Sequence, residues 1–373
     1  MFHKTRQKFT VLFAALAATC LLVVPGCGDD SSSDTTEALS TTTVALATTT
    51  TVTPTTTVAP EPVEKPLIVV TTNILGDVVG KAVGDLFDVE TIMPPGADPH
   101  VFQASAKQVD RMMKADLLVV NGANFEEGLL DVIKGAESDG VKVFEAIDSV
   151  DPLEDNDKEE GHDDHDEEGH DDHDEEGHDD HDEEGHDDHD GHEGHGHGAY
   201  DPHFWFDPNR VAYAAEFIES KLVEFDSSNA ANYEAAGDAY TKELSGLTGQ
   251  VSQLIGSIPS QNRKLITTHE SLGYLEAKFG LEVLSTIIPD LDSSNEITPS
   301  QLVGVIDVIE DNNVKVIFIE AEAPSVYAET IVAETGIKAV EGLWVETLKP
   351  GQTYPEFLIA AVELIVENLS NTD

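Results

Sequence analysis

Short apolar runs alternate with amphipathic stretches along most of the chain after residue 65. The runs are rich in Val, Ile and Leu, as expected of buried strands, and the stretches between them have apolar positions three or four residues apart, as helices do. This alternation predicts an α/β fold in which helices flank mostly parallel β-sheets. The predicted strands are residues 67–71, 89–93, 117–120, 141–147, 265–268, 281–287, 314–319 and 338–340. The predicted helices are residues 74–83, 105–114, 126–133, 211–225, 228–258, 298–310, 325–335 and 355–369, with one more that ends at Phe279.

One amphipathic stretch, residues 228–258, is much longer than the others. A helix of about 30 residues spans roughly 45 Å, which is enough to connect two lobes. Glycines within the stretch lower its intrinsic helix propensity, so packing along its apolar stripe must stabilise it. We therefore predict two lobes, residues 66–225 and 260–373, joined by a linking helix at 226–259. The predicted stripe consists of Tyr233, Ala236, Tyr240, Leu244, Leu247, Val251, Leu254 and Ile258.

The first 65 residues have a different character. Residues 1–26 begin with basic side chains and continue with an apolar run that is too short for a membrane-spanning helix, a pattern typical of an export signal. The run ends at Gly26-Cys27, which resembles a bacterial lipoprotein cleavage box and predicts a lipid on Cys27. Residues 27–65, rich in Thr, Ser and Pro, predict a flexible tether. The protein would then be lipid-anchored on the extracytoplasmic face of the membrane, and the alternative is a plain secretory signal.

Residues 151–199 interrupt the first lobe with an acidic, histidine-rich segment. An eight-residue repeat, Gly-His-Asp-Asp-His-Asp-Glu-Glu, starts at Gly161 and has no apolar residue, so we predict a disordered loop. The net charge of the chain is −53, and nearly half of it lies in this segment. Such acidity excludes nucleic acid as a partner and favours cations. The loop could collect metal ions, sense them, or act only as a solvated spacer. Its candidate ligands are His162, His165, His170, His173, His178, His181, His186, His189, His192, His195 and His197.

Three histidines lie outside the signal and this segment. His100 follows the strand at 89–93, and His269 follows the strand at 265–268 directly. His203 lies between two prolines that stiffen its loop. Ligands of open α/β sheets bind beyond the carboxyl ends of strands, where such loops lie. Neutral imidazoles suit Zn²⁺, Cu²⁺ and Ni²⁺, so the three histidines predict one metal site, although each could instead be a buried, hydrogen-bonded side chain.

A closed tetrahedral site needs a fourth ligand. Glu346 lies in a loop after a strand of the second lobe and is the first candidate. Glu320 also ends a strand and is the second, and a water molecule is the third. Either carboxylate could also be a solvated acid or a helix-capping partner, so the residues alone leave the choice open.

Three segments, in this order, resemble the zinc/manganese solute-binding proteins of ABC transporters. They are Gly96-Ala-Asp-Pro-His100, Asp201-Pro-His-Phe-Trp-Phe-Asp-Pro208 and Thr268-His-Glu-Ser-Leu-Gly-Tyr274, and the similarity extends from about residue 65 to the carboxyl end. The resemblance implies two lobes joined by a rigid helix, with a metal ion in the cleft held by His100, His203 and His269. The family's fourth ligand is often an aspartate, where this chain has Glu346.

The resemblance also implies a function. Zinc members of the family often carry a His/acid-rich insertion before the second segment, and manganese members tend to replace a histidine by a carboxylate, which is absent here. We therefore expect capture of Zn²⁺, rather than Mn²⁺, as the transported ligand, and its delivery to an ABC-type membrane permease with its ATPase. The stiff helix predicts small displacements of the lobes, and the protein is expected to act as a monomer and not as an enzyme.

Other functions fit the residues less closely. A Mn²⁺-selective binding protein of the same family is one alternative, and a surface zinc buffer or cell-adhesion protein without transport is another. A zinc hydrolase would need an open coordination position and a base beside it. His269-Glu270 suggests such a base, but the His-Glu-x-x-His spacing of zinc proteases is absent.

Overall fold

The computed structural model describes residues 65–154, 200–322 and 326–370, all within one compact unit, Pro62–Asp373. The predicted signal, Cys27, the tether up to residue 64 and the eleven histidines of the acidic segment lie outside the described residues. None of the helices in the described ranges combines the length and the apolar character that crossing a membrane requires.

The described residues form two four-stranded β-sheets, and every strand pair in them is parallel. The strands are β1 Leu67–Val70, β2 Asp88–Thr91, β3 Leu117–Val120, β4 Lys142–Glu145, β5 Lys264–Thr267, β6 Glu282–Thr286, β7 Val316–Glu320 and β8 Lys338–Leu343. The first lobe has the strand order β2-β1-β3-β4, and the second lobe has the equivalent order β6-β5-β7-β8. Parallel neighbours require crossover connections, which the helices supply, so the α/β prediction with two helix-flanked parallel sheets is confirmed.

The helices follow the predicted pattern, with differences at their ends. Local chemistry decides several starts: Asp207 accepts a hydrogen bond from the backbone N–H of Asn209, so α4 begins at Pro208 and not at residue 211. The segment predicted as one helix at 126–133 is a short 3₁₀ turn, Glu127–Leu129, followed by α3. The helices are α1 Asn73–Val83, α2 Ala106–Met113, α3 Leu130–Ser138, α4 Pro208–Phe225, α5 Ala230–Gly256, α6 Gly273–Phe279, α7 Pro299–Asn312, α8 Ala328–Thr335 and α9 Tyr354–Leu369.

The long helix is α5, and it packs against α1 and α4 of the first lobe and α6 and α9 of the second. Its buried stripe differs from the predicted one at two positions, because Gly237 and Ile255 are buried where Ala236 and Leu254 were expected. A Cβ atom at Gly237 would overlap the carboxylate of Glu219 on α4. The glycine that lowers the helix propensity therefore leaves room for a side chain of α4.

One apolar core runs through both lobes. It includes Val70 of β1, Leu244 of α5, Phe318 of β7 and Leu358 of α9, all fully buried. Alternate strand residues, such as Val69, face smaller clusters on the outer sides of the two sheets. A shared core of this kind resists separation of the lobes, because opening would expose apolar surface to water.

Candidate metal centre

Four polar side chains from distant parts of the chain meet between the two lobes. His100 lies in the turn after β2, His203 precedes a short 3₁₀ helix, His269 follows β5, and Glu346 follows β8. Each of the four offers a ligand atom within 4.8 Å of the others. The structure thus brings together the three histidines and the first of the carboxylate candidates predicted from the sequence.

The ligand atoms have the spacing of a small coordination polyhedron. Oε1 of Glu346 lies 2.9 Å from Nε2 of His100, 3.2 Å from Nε2 of His269 and 3.7 Å from Nε2 of His203. The Nε2 atoms of His203 and His269 are 3.4 Å apart. A tetrahedral Zn²⁺ with ligands about 2.0–2.1 Å away would separate them by about 3.3–3.4 Å. The separation of His203 and His269 therefore already matches such an ion, and all four ligand atoms lie within 4.8 Å of one another.

The cluster is enclosed by protein. His203 and His269 are fully buried, and Glu346 is 1% exposed. Phe125 packs edge-on against His203, and the ring of Trp205 lies against the same histidine with the centroids 5.3 Å apart. Trp205 is fixed in turn, because its Nε1–H donates to the carbonyl of Val345 over 2.7 Å. Aromatic walls exclude water, so charges within the cluster interact strongly.

Asp201 orients His203. Its Oδ1 accepts hydrogen bonds from both the backbone N–H and the Nδ1 of His203, each over 2.8 Å. Tyr274 fixes the start of this loop, since its hydroxyl donates to the carbonyl of Asp201. A proton held on Nδ1 leaves the Nε2 lone pair directed at the cluster, which is how a carboxylate supports a metal-binding imidazole.

Glu320 does the same for His269. Its Oε2 lies 2.5 Å from Nδ1 of His269, and its Oε1 accepts hydrogen bonds from the backbone of His269 and the hydroxyl of Ser271. Glu320, considered as a fourth ligand on sequence grounds, thus lies against the far nitrogen of the ring. Glu346 is the carboxylate that faces the three Nε2 atoms.

The loop that carries Glu346 is held by a residue that sequence analysis missed. Oε1 of Glu322 accepts hydrogen bonds from three successive backbone N–H groups, those of Val345, Glu346 and Thr347, over 3.1–3.3 Å. Burial, together with the nearby charge of Glu346, raises the pKa of Glu322 to about 8. No periodicity or motif marks Glu322, because its partners lie more than twenty residues further along the chain.

The titration of the cluster reflects its enclosure. Burial alone lowers the pKa of His269, but the charges of Glu320 and Glu346 outweigh it and raise that pKa well above the usual value. His100 behaves in the same way, with Glu346 as the main cause of its raised pKa. Burial raises the pKa of Glu346, yet the facing imidazoles, His100 first, bring it well below its usual value. The carboxylate of Glu346 thus stabilises positive charge in the cluster, which either protons on the histidines or a bound cation can supply.

Two lobes that close on three imidazoles and a carboxylate define a solute-binding protein for a divalent cation. The chain belongs to the family described as "Zinc-uptake complex component A periplasmic", ZnuA, whose model matches residues 68–368. Members of this family are extracytoplasmic metal-binding components of ABC-type uptake systems and not enzymes. The predictions of such a component, and of no catalytic step, are confirmed.

Individual relatives are distant and are named for different metals. The manganese-binding lipoprotein MntA of Halalkalibacterium halodurans is 24% identical over 308 residues, covering 81% of this chain and 88% of that protein. The zinc-binding protein AdcA of Streptococcus pyogenes is 28% identical over 288 residues, covering 73% of this chain but only 50% of that protein. The solved structure of the periplasmic zinc-binding protein TroA from Treponema pallidum has the same fold, with a TM-score of 0.66 and 21% identity over 82% of this chain and all of that one.

Proposed function

We propose that the protein captures Zn²⁺ outside the cytoplasm and delivers it to an ABC-type permease with its ATPase. The observation that supports this proposal most directly is the donor set: three imidazoles and one carboxylate, whose ligand atoms all lie within 4.8 Å of one another. Zn²⁺ adopts such closed four-coordinate sites readily, whereas Mn²⁺ prefers more oxygen ligands and octahedral geometry. Mn²⁺ is the second candidate, because a relative named for manganese covers most of the chain.

The proposed ligands are His100, His203, His269 and Glu346, each through the atom that faces the centre of the cluster. Asp201 and Glu320 act through the two histidines that they orient. The lobe limits at 66–225 and 260–373, with the linking helix at 226–259, are part of the same proposal. The shared apolar core supports small movements of the lobes during capture and release.

A lipid on Cys27 would hold the protein at the outer face of the membrane, beside its permease. The relative MntA is a manganese-binding lipoprotein, which supports this proposal. We also propose that a single copy of the chain suffices, since the described ligands all come from one chain.

The acidic segment is proposed to collect cations for the cleft. Its described flanks lie close to the cluster: Glu154 pairs with Tyr200, and the next residue, Asp201, holds His203. Deletion of residues 160–198 followed by calorimetric titration with Zn²⁺ tests this role. We expect fewer ions bound per chain and an unchanged tight site, and an unchanged stoichiometry would leave the segment a spacer.

The central test is elemental analysis of the purified protein after exposure to equimolar Zn²⁺, Mn²⁺ and Fe²⁺. We expect one tightly held zinc ion when the segment 160–198 is absent, and none in His203→Ala. Glu296→Gln, which changes an exposed acid in the loop between β6 and α7, is the matched control and should retain the ion. Retention of manganese instead would contradict the choice of zinc. Failure of a deletion strain to grow in zinc-poor medium would separate transport from surface buffering.

A further inference from the structure

A second group of possible ligands shares His100 with the main cluster and includes the exposed Glu127 at the mouth of the cleft. His100, Glu127 and Asp292 offer ligand atoms within 4.8 Å of one another. His100 and Glu127 belong to the first lobe and Asp292 to the loop after β6 in the second. Together they line a cavity of about 20 Å³, which exceeds the roughly 10–15 Å³ that one water molecule needs. The space therefore accepts a single small ion or water.

The far nitrogen of His100 points to this group. His100 is 6% exposed, and among the described residues its Nδ1 has no hydrogen-bond partner. Oδ1 of Asp292 lies 3.8 Å from that Nδ1, beyond hydrogen-bond reach. His203 and His269 differ, since the Nδ1 of each contacts a carboxylate of its own lobe. A buried imidazole nitrogen without a partner is costly, so a ligand that fills this gap would be bound favourably.

Asp292 is already oriented for such a role. Its two carboxylate oxygens accept hydrogen bonds from the backbone N–H and the hydroxyl of Ser294, over 2.7 and 2.9 Å. Each oxygen keeps a further lone pair for a cation. Beside it, Ser293 donates to Asp98 of the opposite lobe over 3.0 Å, which keeps the two sides of the mouth together.

The two ring nitrogens of His100 face the two groups. Its Nε2 is 2.9 Å from Oε1 of Glu346 in the inner cluster, and its Nδ1 is 3.8 Å from Oδ1 of Asp292 in the outer group. An imidazole that keeps one N–H has a single nitrogen lone pair to give to a cation. The ring can therefore ligate an ion in the outer group or in the inner cluster, but not in both at once.

We propose that His100 Nδ1, Asp292 and Glu127 form an outer docking site for a divalent cation, filled before the ion passes to the inner cluster. The proposal rests on the proposed function, because it describes the route to that cluster. The outer site takes a hard or borderline cation such as Zn²⁺ or Mn²⁺, given one nitrogen and two carboxylate donors. It holds the ion only in transit, since the transfer of His100 to the inner cluster removes one of its ligands.

Stopped-flow measurement of zinc capture and release by the full chain tests the route. Trp205 lies against His203, so tryptophan fluorescence reports occupancy of the inner cluster. We expect Asp292→Asn and Glu127→Gln each to slow association about tenfold, because each removes a charged ligand from the site through which the ion enters. Dissociation, followed with excess chelator, should slow by the same factor because release uses the same route. The Kd is then unchanged, and Glu296→Gln should behave like the wild type.

Other outcomes overturn the outer site. Unchanged rates in both variants would mean that the group binds nothing on the path. Faster dissociation with unchanged association would mean that Asp292 stabilises the closed arrangement of the lobes and does not bind the incoming ion. If only association slows, and the difference from the wild type disappears at high salt, the two carboxylates would merely attract cations through their negative charge. If Asp292→Asn fails to fold, the solvent-accessible Glu127 carries the test by itself. A wild-type protein without a zinc-dependent signal would instead contradict the proposed function.

Discussion

The two lobes share one strand order, yet they present their metal-facing side chains differently. In the second lobe, His269 and the loop of Glu346 are each braced by a buried carboxyl group of that lobe, Glu320 and Glu322. In the first lobe, His203 is braced by Asp201, but the carboxylate nearest to Nδ1 of His100 is Asp292, which belongs to the other lobe.

This difference indicates that the four ligand groups have different roles in binding. Three of the four groups are fixed before any ion arrives, which reduces the entropy lost on binding. The fourth, His100, depends on the position of the opposite lobe and is the side of the cluster that can adapt. Capture and release should therefore be controlled at His100, while affinity is set mainly by the braced groups.

The largest expected effect is the loss of a braced ligand. Structural zinc sites bind with roughly 10–16 kcal/mol, or about 3 kcal/mol per ligand, so His269→Ala should weaken zinc affinity by roughly 100-fold or more. It also leaves Glu320 buried without its partner, so the melting temperature of the metal-free protein should fall. His100→Ala should lose affinity with a smaller change in melting temperature. Competition titration measures the zinc affinity of both variants, and thermal melts measure their stability. Equal melting temperatures of the two metal-free variants would contradict the distinction between the braced ligands and the adaptable His100.

The bracing carboxylates are expected to have the next largest effect. Glu320→Gln and Asp201→Asn should each weaken zinc affinity by about 10–100-fold, the range found when a partner of a metal-binding histidine is changed. Asp292→Asn should leave equilibrium affinity unchanged. Titrations against a fluorescent chelator compare the three variants, and a loss for Asp292→Asn as large as that for Glu320→Gln would show that His100 is braced as well.

Acidity should weaken zinc binding through the same histidines. The pKa values of His100 and His269 are raised in the metal-free protein, so zinc must displace protons already at a pH above 6.5. Affinity should fall by about tenfold per pH unit for each proton displaced. The metal-free protein behaves oppositely: the stabilisation from these protonated histidines is complete below their unfolded pKa and lost as the pH rises through the raised values. Zinc titrations and thermal melts at a series of pH values above and below 6.5 measure how affinity and stability depend on pH. An affinity that does not change with pH would contradict the raised pKa values.

The smallest effect is expected for Glu322→Gln. The amide keeps an oxygen for the three backbone N–H groups, so zinc affinity at pH 7 should change little. The raised pKa of Glu322, about 8, makes the wild type lose stability as the pH rises from about 5 to 8, and the variant should lack that loss. Glu322→Ala is the comparison, since three unpaired N–H groups should destabilise the loop by about 1–3 kcal/mol. Melts at several pH values test this, and equal pH slopes for Glu322→Gln and wild type would contradict it.

Much of the fold was predictable because its signals are local. Short apolar runs and capping residues such as Ser105 and Thr298 mark strands and helix starts within a few residues of themselves. The stripe of α5 was less predictable: Gly237, and not Ala236, faces the side chain of Glu219 on α4, which is a separate element. Local patterns do not show which residues of another helix will lie against a position.

The two parallel sheets and the loops that carry His100, His203 and His269 could be predicted from the sequence, because strand ends, prolines and glycines act over short distances. Which nitrogen of each ring meets which carboxylate could not be predicted before the lobes were packed together. The tertiary structure placed Glu320 behind His269, Glu346 among the three Nε2 atoms and Asp292 opposite His100. Those roles depend on the packing of elements far apart in the chain, which sets the orientation of each side chain to within an ångström.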